Sequence, residues 1–307
     1  MEQPTWYLIL NPKAGGGKAG KKYPQIARLL QESKIPFTTY ETKSAGEGEK
    51  SVLTALKAGY RKFLVCGGDG TLNEIVNGVM KQDFIPSQEI TIGLIPVGTG
   101  NDWGRTWGLS RNLKKSISIL QFEKTVTQDA GRVEFYDTPE NARWFLNVAG
   151  CGFDAAVTSA ANKEKEKGNS SVLTYIKQLI LTLFKYKPVE CSITIGNKTI
   201  TSHLFAVLVG IGKYAGNKMK LVPNAIPDDG LFDITLVHKI SPWKVIRNFP
   251  KLFNGKFLGL KEVAVYQGTE ISIVSKNEIY FQADGESMGK VPLSIKIFPK
   301  VLKVIIG

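Results

Sequence analysis

Apolar positions along this chain follow two rhythms. Up to about residue 125, short apolar runs alternate with stretches of helical spacing. Residues 6–10, 37–41, 63–66 and 90–95 read as strands, and 23–33, 49–58, 71–80 and 113–121 as helices. In the first of these helices Ile26, Leu29 and Leu30 share one face. Short apolar strands separated by helices predict a parallel sheet covered on both sides. Beyond residue 125 a period of two takes over, at 126–135, 144–148, 191–195, 199–209, 231–237, 270–273, 278–282 and 293–297. That texture predicts antiparallel strands, interrupted by one helical segment at 172–186 and a less regular one at 243–257. The expected fold class is α/β plus β, with a doubly wound parallel-sheet domain over 1–127 and an antiparallel domain over 128–307. A length of 307 residues suits two domains.

Composition adds one fact to this picture. Hydrophobic residues at 43% and charged residues at 22% are ordinary for a globular chain and exclude a disordered or low-complexity one. Charge is the exception: 40 Lys and Arg against 27 Asp and Glu leave +13, which favours anionic partners. Nucleic acid, phosphorylated metabolites and acidic lipid surfaces all qualify. The basic residues form no helix-turn-helix, RRM or KH pattern, so nucleic acid is not the expected partner. The start lacks the basic region and longer apolar core of a secretory signal, which predicts a cytoplasmic protein. No 18 apolar residues run together; the longest candidate, 172–184, carries Lys177 and Gln178. Cys66, Cys151 and Cys191 lie far apart, and His203 and His238 are the two histidines, too few for a zinc site or a His-based triad.

In a doubly wound sheet the ligand lies outside the carboxyl ends of the strands. Three glycine-rich turns are expected there. One runs from Asn11 and Pro12 through Gly15, Gly16 and Gly17 to Lys18; a second is Gly67-Gly68-Asp69-Gly70-Thr71-Leu72-Asn73-Glu74; a third is Gly98-Thr99-Gly100-Asn101-Asp102. Each brings unobstructed main-chain N–H groups to a helix start, where phosphate oxygens are stabilised. The first turn also matches G-x-G-x-x-G at Gly15, Gly17 and Gly20, with Glu41 about 20 residues on, where a ribose-binding acid belongs. Asn11 and Pro12 between strand and glycines argue against a dinucleotide loop, and Ala19 after Lys18 excludes a Walker A loop. Asp69, Thr71 and Glu74 taken singly are good helix-capping residues. Capping leaves three surrounding glycines unexplained, whereas a main chain pressed close to phosphates, with a carboxylate for a metal or its waters, accounts for both.

These elements, with Asn224 to Leu231 (Asn-Ala-Ile-Pro-Asp-Asp-Gly-Leu) and Asp284-Gly285-Glu286, appear in an order that resembles the diacylglycerol kinase catalytic family, soluble bacterial lipid kinases related to sphingosine kinases. The GGDGT element alone is shared with NAD kinases and phosphofructokinases; the ensemble selects lipid kinases. The resemblance implies a Rossmann-like first domain, a C-terminal β-sandwich and a nucleotide in the cleft between them. It implies that Asn11, Thr42, Gly67, Gly68, Asp69, Gly70, Thr71, Leu72, Asn73 and Thr99 contact ATP, and that Asp69 and Asp102 help hold Mg2+ and phosphates. Glu286 would accept the proton, and a second, structural Mg2+ would sit on Asp229 with the carbonyls of Ile226 and Leu231. The implied reaction is γ-phosphoryl transfer to a hydroxyl of diacylglycerol or a related lipid. The alternatives are an NAD-kinase-like small-molecule kinase and a non-catalytic nucleotide-binding regulator. The chain departs from the family at Ile211-Gly-Lys-Tyr-Ala-Gly-Asn217, where a triple glycine is usual, which bears on the headgroup accepted. Trp103 and Trp107 belong either to core packing or to an acyl-binding surface.

Residues 239–261 hold six cations and no acid, interleaved with Trp243, Phe249, Phe253 and Phe257. Such a segment either docks on an anionic membrane or forms a solvated basic face over inward apolar residues. The first alternative makes the protein peripherally membrane-associated. An exposed edge strand of the β domain could support a homodimer.

Overall fold

The computed structural model describes residues 5–166 and 172–307. The chain forms two compact units, Met1–Gln128 with Lys300–Gly307, and Asp129–Pro299. This division differs from 1–127 and 128–307 in that Gln128 and the last eight residues join the first unit. The end of the chain does so because Lys303 and Val304 pair in parallel with Thr91 and Ile92.

In the first unit β1 (Trp6–Leu10), α1 (Ala14–Glu32), β2 (Phe37–Glu41), α2 (Glu47–Lys57), β3 (Lys62–Gly67), α3 (Asp69–Lys81), β4 (Thr91–Pro96), α4 (Asp102–Thr106) and α5 (Leu113–Phe122) follow in order. The strands pair in parallel as β2-β1-β3-β4. β4 is buried along its whole length and β3 from Phe63 to Gly67, as strands covered on two faces must be. Trp6, Leu8, Leu10, Ile26, Leu30, Leu64 and Ile95 share one core. The helical face read from the sequence is the one that α1 buries, at Ile26, Leu29 and Leu30. α1 starts nine residues earlier than its apolar spacing indicates, across Gly15, Gly16 and Gly17, all at positive φ. α4 has five residues, too few to carry a period, and so leaves no trace in the apolar spacing.

Helix α2 is held at both ends of its contact with α3. The Glu74 carboxylate accepts the N–H groups of Gly46 and Gly48, both at 3.0 Å, and so caps α2 from α3. Further along, a Cβ on Gly78 would lie 2.8 Å from the Glu49 carbonyl oxygen and 2.9 Å from Val52 Cβ, so the two helices touch main chain to main chain.

The second unit is built from strands, with helices between them. It continues β5 (Thr125–Phe135) into β6 (Arg143–Phe145), β7 (Val148–Gly152), α6 (Phe153–Glu166), α7 (Val172–Lys185), β8 (Val189–Ile195), β9 (Lys198–Gly210), β10 (Phe232–His238), α8 (Pro242–Asn248), α9 (Lys251–Asn254), β11 (Val263–Gly268), β12 (Glu270–Ser275), β13 (Tyr280–Ala283), β14 (Glu286–Lys290) and β15 (Leu293–Ile305). Pairing within the unit is antiparallel. β9 serves two groups: its first half pairs with β8, its second half with β7 and β10. The sandwich core includes Phe145, Val207, Phe232, Ile271, Phe281 and Leu293, with Phe145 stacked on Phe232 at 5.9 Å. Helix α6 lies outside the segments that periodicity marks as helical, because its run of alanines and lysines shows no strong apolar face. Among the described residues no helix is long and apolar enough to cross a membrane.

In a helix interior Gly→Ala ordinarily stabilises by about 1 kcal/mol. Gly78→Ala is expected to do the opposite and destabilise by about 1–3 kcal/mol, because α2 must shift to admit the methyl group. Chemical denaturation of the two proteins gives the sign directly.

Candidate active site

The carboxyl ends of β1, β3 and β4 carry the three glycine-rich turns, and each turn is tied to a neighbour. Asn11 Nδ2 donates to Thr71 Oγ1 at 3.0 Å, joining the first turn to the start of α3, and the Asn11 N–H donates to the Cys66 carbonyl at 3.1 Å. The Gly67 carbonyl accepts the N–H groups of Val97 and Gly98, both at 3.0 Å. The second and third turns then meet with no room for side chains. A Cβ on Gly98 would fall 2.5 Å from Gly68 Cα, and one on Gly15 would fall 2.3 Å from the Val97 carbonyl oxygen. Gly15 and Gly98 are required by backbone contact, and Gly15, Gly16 and Gly17 by φ values of 63°, 69° and 82°.

Asp69 crosses from the second turn to the third. Its carboxylate accepts the N–H groups of Asp102 and Trp103, each at 3.2 Å, at the start of α4. A Cβ on Gly100 would lie 3.1 Å from an Asp69 carboxylate oxygen and 3.4 Å from one of Asp102, so the two acids flank the same small space. Asp102 is buried, with Arg105 Nε 3.9 Å from its Oδ1. The neighbouring Asn101 sits at φ 52°, donates from Nδ2 to the Gly98 carbonyl, and has its Oδ1 buried without a donor.

The other expected nucleotide contacts differ in what they can offer. Thr42 lies just past β2 with its N–H and hydroxyl both donating to the Leu10 carbonyl. Thr99 is exposed, and Arg111 Nη2 donates to its carbonyl and to that of Gly100, each at 2.6 Å. Leu72 has its side chain in the core and its N–H on the Gly68 carbonyl, so it supports the turn. Asn73 is buried, with Asn77 Nδ2 donating to its Oδ1 and its carbonyl. Glu74 belongs to the α2 cap described above. Sequence reasoning assigns no role to Asn101 or Arg111; Arg111 stands outside every glycine motif and carries no signal of its own. Trp103 and Trp107 both donate from their indole nitrogens to Gln128 Oε1, at 2.8 and 2.7 Å, and Trp103 is fully buried. Trp103 is a packing residue, and Trp107 is half-buried.

Glu286, Ile226, Asp229 and Leu231 belong to the second unit. Glu286 opens β14 immediately after the two-residue turn Asp284-Gly285, both at positive φ (50° and 82°), the geometry that Asp-Gly favours in a tight hairpin. The hairpin is anchored by the Asp284 carboxylate, which accepts the N–H groups of Leu146, Asn147 and Val148 at 3.0, 3.0 and 3.3 Å. Asp229 is exposed and accepts the Leu231 N–H at 3.0 Å; buried Asp129 accepts the next N–H back, Gly230, at 2.7 Å. Asp233 close by is raised above the usual carboxylate range by burial, with the charge of Asp229 adding and a hydrogen bond from Gln267 opposing.

The second unit also holds a cavity of about 100 Å³ walled by Phe153, Val157, Phe205, Leu208, Met219 and Leu221. Asp154 is the acid in this wall, hydrogen-bonded by Gln282, whose Oε1 accepts the Gly285 N–H of the Glu286 hairpin. Burial pushes the Asp154 carboxyl up to about 6, against the lowering effect of Gln282.

A parallel sheet with interlocked glycine turns and acids at its carboxyl edge, joined to an antiparallel sandwich, defines a phosphate-handling α/β class. Similarity to known proteins sharpens this. The diacylglycerol kinase catalytic domain matches residues 5–133, and the YegS C-terminal NAD kinase beta sandwich-like domain matches 147–306. The chain belongs to the diacylglycerol kinase catalytic-domain family and is a lipid kinase. It is 26% identical to a diacylglycerol kinase of Staphylococcus carnosus, over 93% of this chain and 89% of that one. It is 28% identical to a diacylglycerol kinase of Mycobacterium tuberculosis, over 97% and 93%. A solved diacylglycerol kinase structure from Bacillus anthracis Sterne has the same fold, with a TM-score of 0.73 at 22% identity over 100% of this chain and 98% of that one.

Because the folded-state pKa of Asp154 is raised, the native state holds its proton where the unfolded chain has lost it. Its stabilising contribution is complete below about pH 4 and is lost as pH rises through about 6. Asp154→Asn should therefore gain stability relative to wild type across that window, by roughly 3 kcal/mol at pH 8. Denaturation at pH 4 and pH 8 tests it; a difference between the proteins that does not change with pH refutes the assignment.

Proposed function

We propose that this lipid kinase transfers the γ-phosphoryl group of ATP, with Mg2+, to a hydroxyl of diacylglycerol or a related lipid. The observation that carries the reading is the interlock of the second and third glycine turns, with Asp69 bridging them and Asp102 beside it. Main-chain N–H groups at the start of α3 suit phosphate oxygens, and Asn11, Thr42 and Thr99 stand at the same sheet edge. The carboxylates of Asp69 and Asp102, the donorless Asn101 Oδ1 and the small space beside Gly100 fit a hydrated Mg2+. Among the described residues no three acids, histidines or cysteines cluster, so phosphate and water oxygens would complete its shell. When bound there, Mg2+ would neutralise charge developing on the phosphates.

Glu286 accepts the proton of the acceptor hydroxyl as its oxygen bonds to the γ-phosphorus and the bond to ADP breaks. A tight hairpin anchored through Asp284 gives that carboxylate a fixed starting point. The apolar cavity of the second unit supports an acceptor with acyl chains over the NAD-kinase-like alternative. A structural Mg2+ on Asp229 and the carbonyls of Ile226 and Leu231 would consist of hard oxygen ligands and would relieve the repulsion between Asp229 and Asp233.

Two measurements test this reading. Incubation with labelled ATP, Mg2+ and a lipid panel in mixed micelles, with NAD as a further acceptor, should label a lipid. Glu286→Gln should lower kcat by about 10²–10⁴ with the KM for ATP little changed. No labelled lipid, a labelled NAD, or an undiminished variant overturns the mechanism. Mg2+ should also raise the melting temperature of wild type, and Asp229→Asn should reduce that rise.

A further inference from the structure

We propose that α7 and the α8–α9 segment of the second unit form one docking surface for an anionic lipid bilayer. Helix α7 buries Leu179 and Leu183, one turn apart, and also carries an apolar stripe on its outer side. Leu173, Ile176, Ile180, Leu181 and Phe184 are 78, 37, 45, 44 and 51% exposed. At 3.6 residues per turn these five, with Lys177 among them, span an arc of about 140°. A contiguous exposed apolar patch of this kind marks an interaction site.

The stripe continues on the next helices. On α8, Trp243 and Ile246 are 73 and 39% exposed, and Phe253 of α9 is 44% exposed. The rings of Phe184 and Trp243 meet edge to face with centroids 5.5 Å apart, so the patches are one surface. The apolar residues of 239–261 divide between the two sides. Phe257 is buried and Phe249 packs inward, while Trp243 and Phe253 face out.

Charge selects the occupant. Segments 172–187 and 239–261 together contain nine basic residues and no acidic one. Lys244 is paired with Glu262, whereas Lys177, Lys185, Arg247, Lys251 and Lys256 are exposed around the apolar stripe. A second copy docking through the same face would set these charges against their equals. An anionic bilayer accepts both features at once, with aromatic rings at the headgroup level and cations on the phosphates. The inner sides of the same helices, through Leu179, Val245 and Leu252, line the apolar cavity, so the docked face would be the cavity's own wall. Only the purpose of this surface rests on the lipid-acceptor reading; its geometry does not.

Vesicle flotation tests the proposal, with phosphatidylcholine vesicles and with vesicles that also contain phosphatidylglycerol, at low and high salt. Wild type should bind the phosphatidylglycerol vesicles at least about tenfold more tightly, and salt should weaken that binding. Ile180→Ser with Phe184→Ser and Trp243→Ser, and separately Arg247→Glu with Lys251→Glu, should each lose about tenfold or more. Both should retain the wild-type melting temperature and phosphorylation of a water-soluble short-chain diacylglycerol. Equal binding to both vesicles, indifference to salt, or undiminished binding by either variant overturns it. A concentration-dependent dimer that the first variant abolishes, without vesicle binding, assigns the face to a second copy and also overturns it. Anionic vesicle binding without lipid phosphorylation sinks the acceptor reading and leaves the docking surface standing; the reverse pattern sinks docking alone.

Discussion

The contact on which the candidate site depends is between two stretches of main chain, at Gly68 and Gly98. Adjacent parallel strands β3 and β4 end side by side, and their following turns close together until a single Cβ would stand 2.5 Å from the opposing Cα. The close approach brings Asp69 to the N–H groups of Asp102 and Trp103 and thereby starts α4. A larger residue in either turn would force the starts of α3 and α4 apart and break the Asp69 bridge between them.

One carboxylate therefore ties the second turn to the third. Asp69 orders α4 through two hydrogen bonds while remaining beside Asp102 in a space lined by oxygen. Beside it the Asn101 Oδ1 is buried without a donor. Glu74, a few residues along α3, makes the same kind of bridge: each of its carboxylate oxygens accepts an N–H at the start of α2.

In the second unit the same economy appears around the Asp284-Gly285 hairpin. Three main-chain donors hold Asp284, Gln282 links the turn to Asp154, and Asp154 faces the apolar cavity. The helices over that cavity are apolar on their inner side for packing and on their outer side for no internal reason. That second stripe, bordered by exposed positive charge, is the part of the surface that folding leaves unexplained.

Much of this architecture is legible in the order of residues alone. Strand β1 coincides with its apolar run, and β3 and β4 lie within a residue of theirs, because a strand buried between helix layers has little room for a polar side chain. The glycine turns and their order also mark the phosphate edge and the family. What stays hidden depends on contacts remote along the chain. Gly78 looks like a flaw in α3 until α2 lies against it; Asp69 reads as a cap of α3 yet caps α4; Arg111 belongs to no motif. Composition and periodicity determined the element types, the two-unit plan and the excess positive charge, since these follow from local spacing and counting. Only the tertiary structure decided which glycines are steric necessities, which acids are caps and which apolar residues of α7 face outward, because each depends on what lies across a gap of a few ångströms.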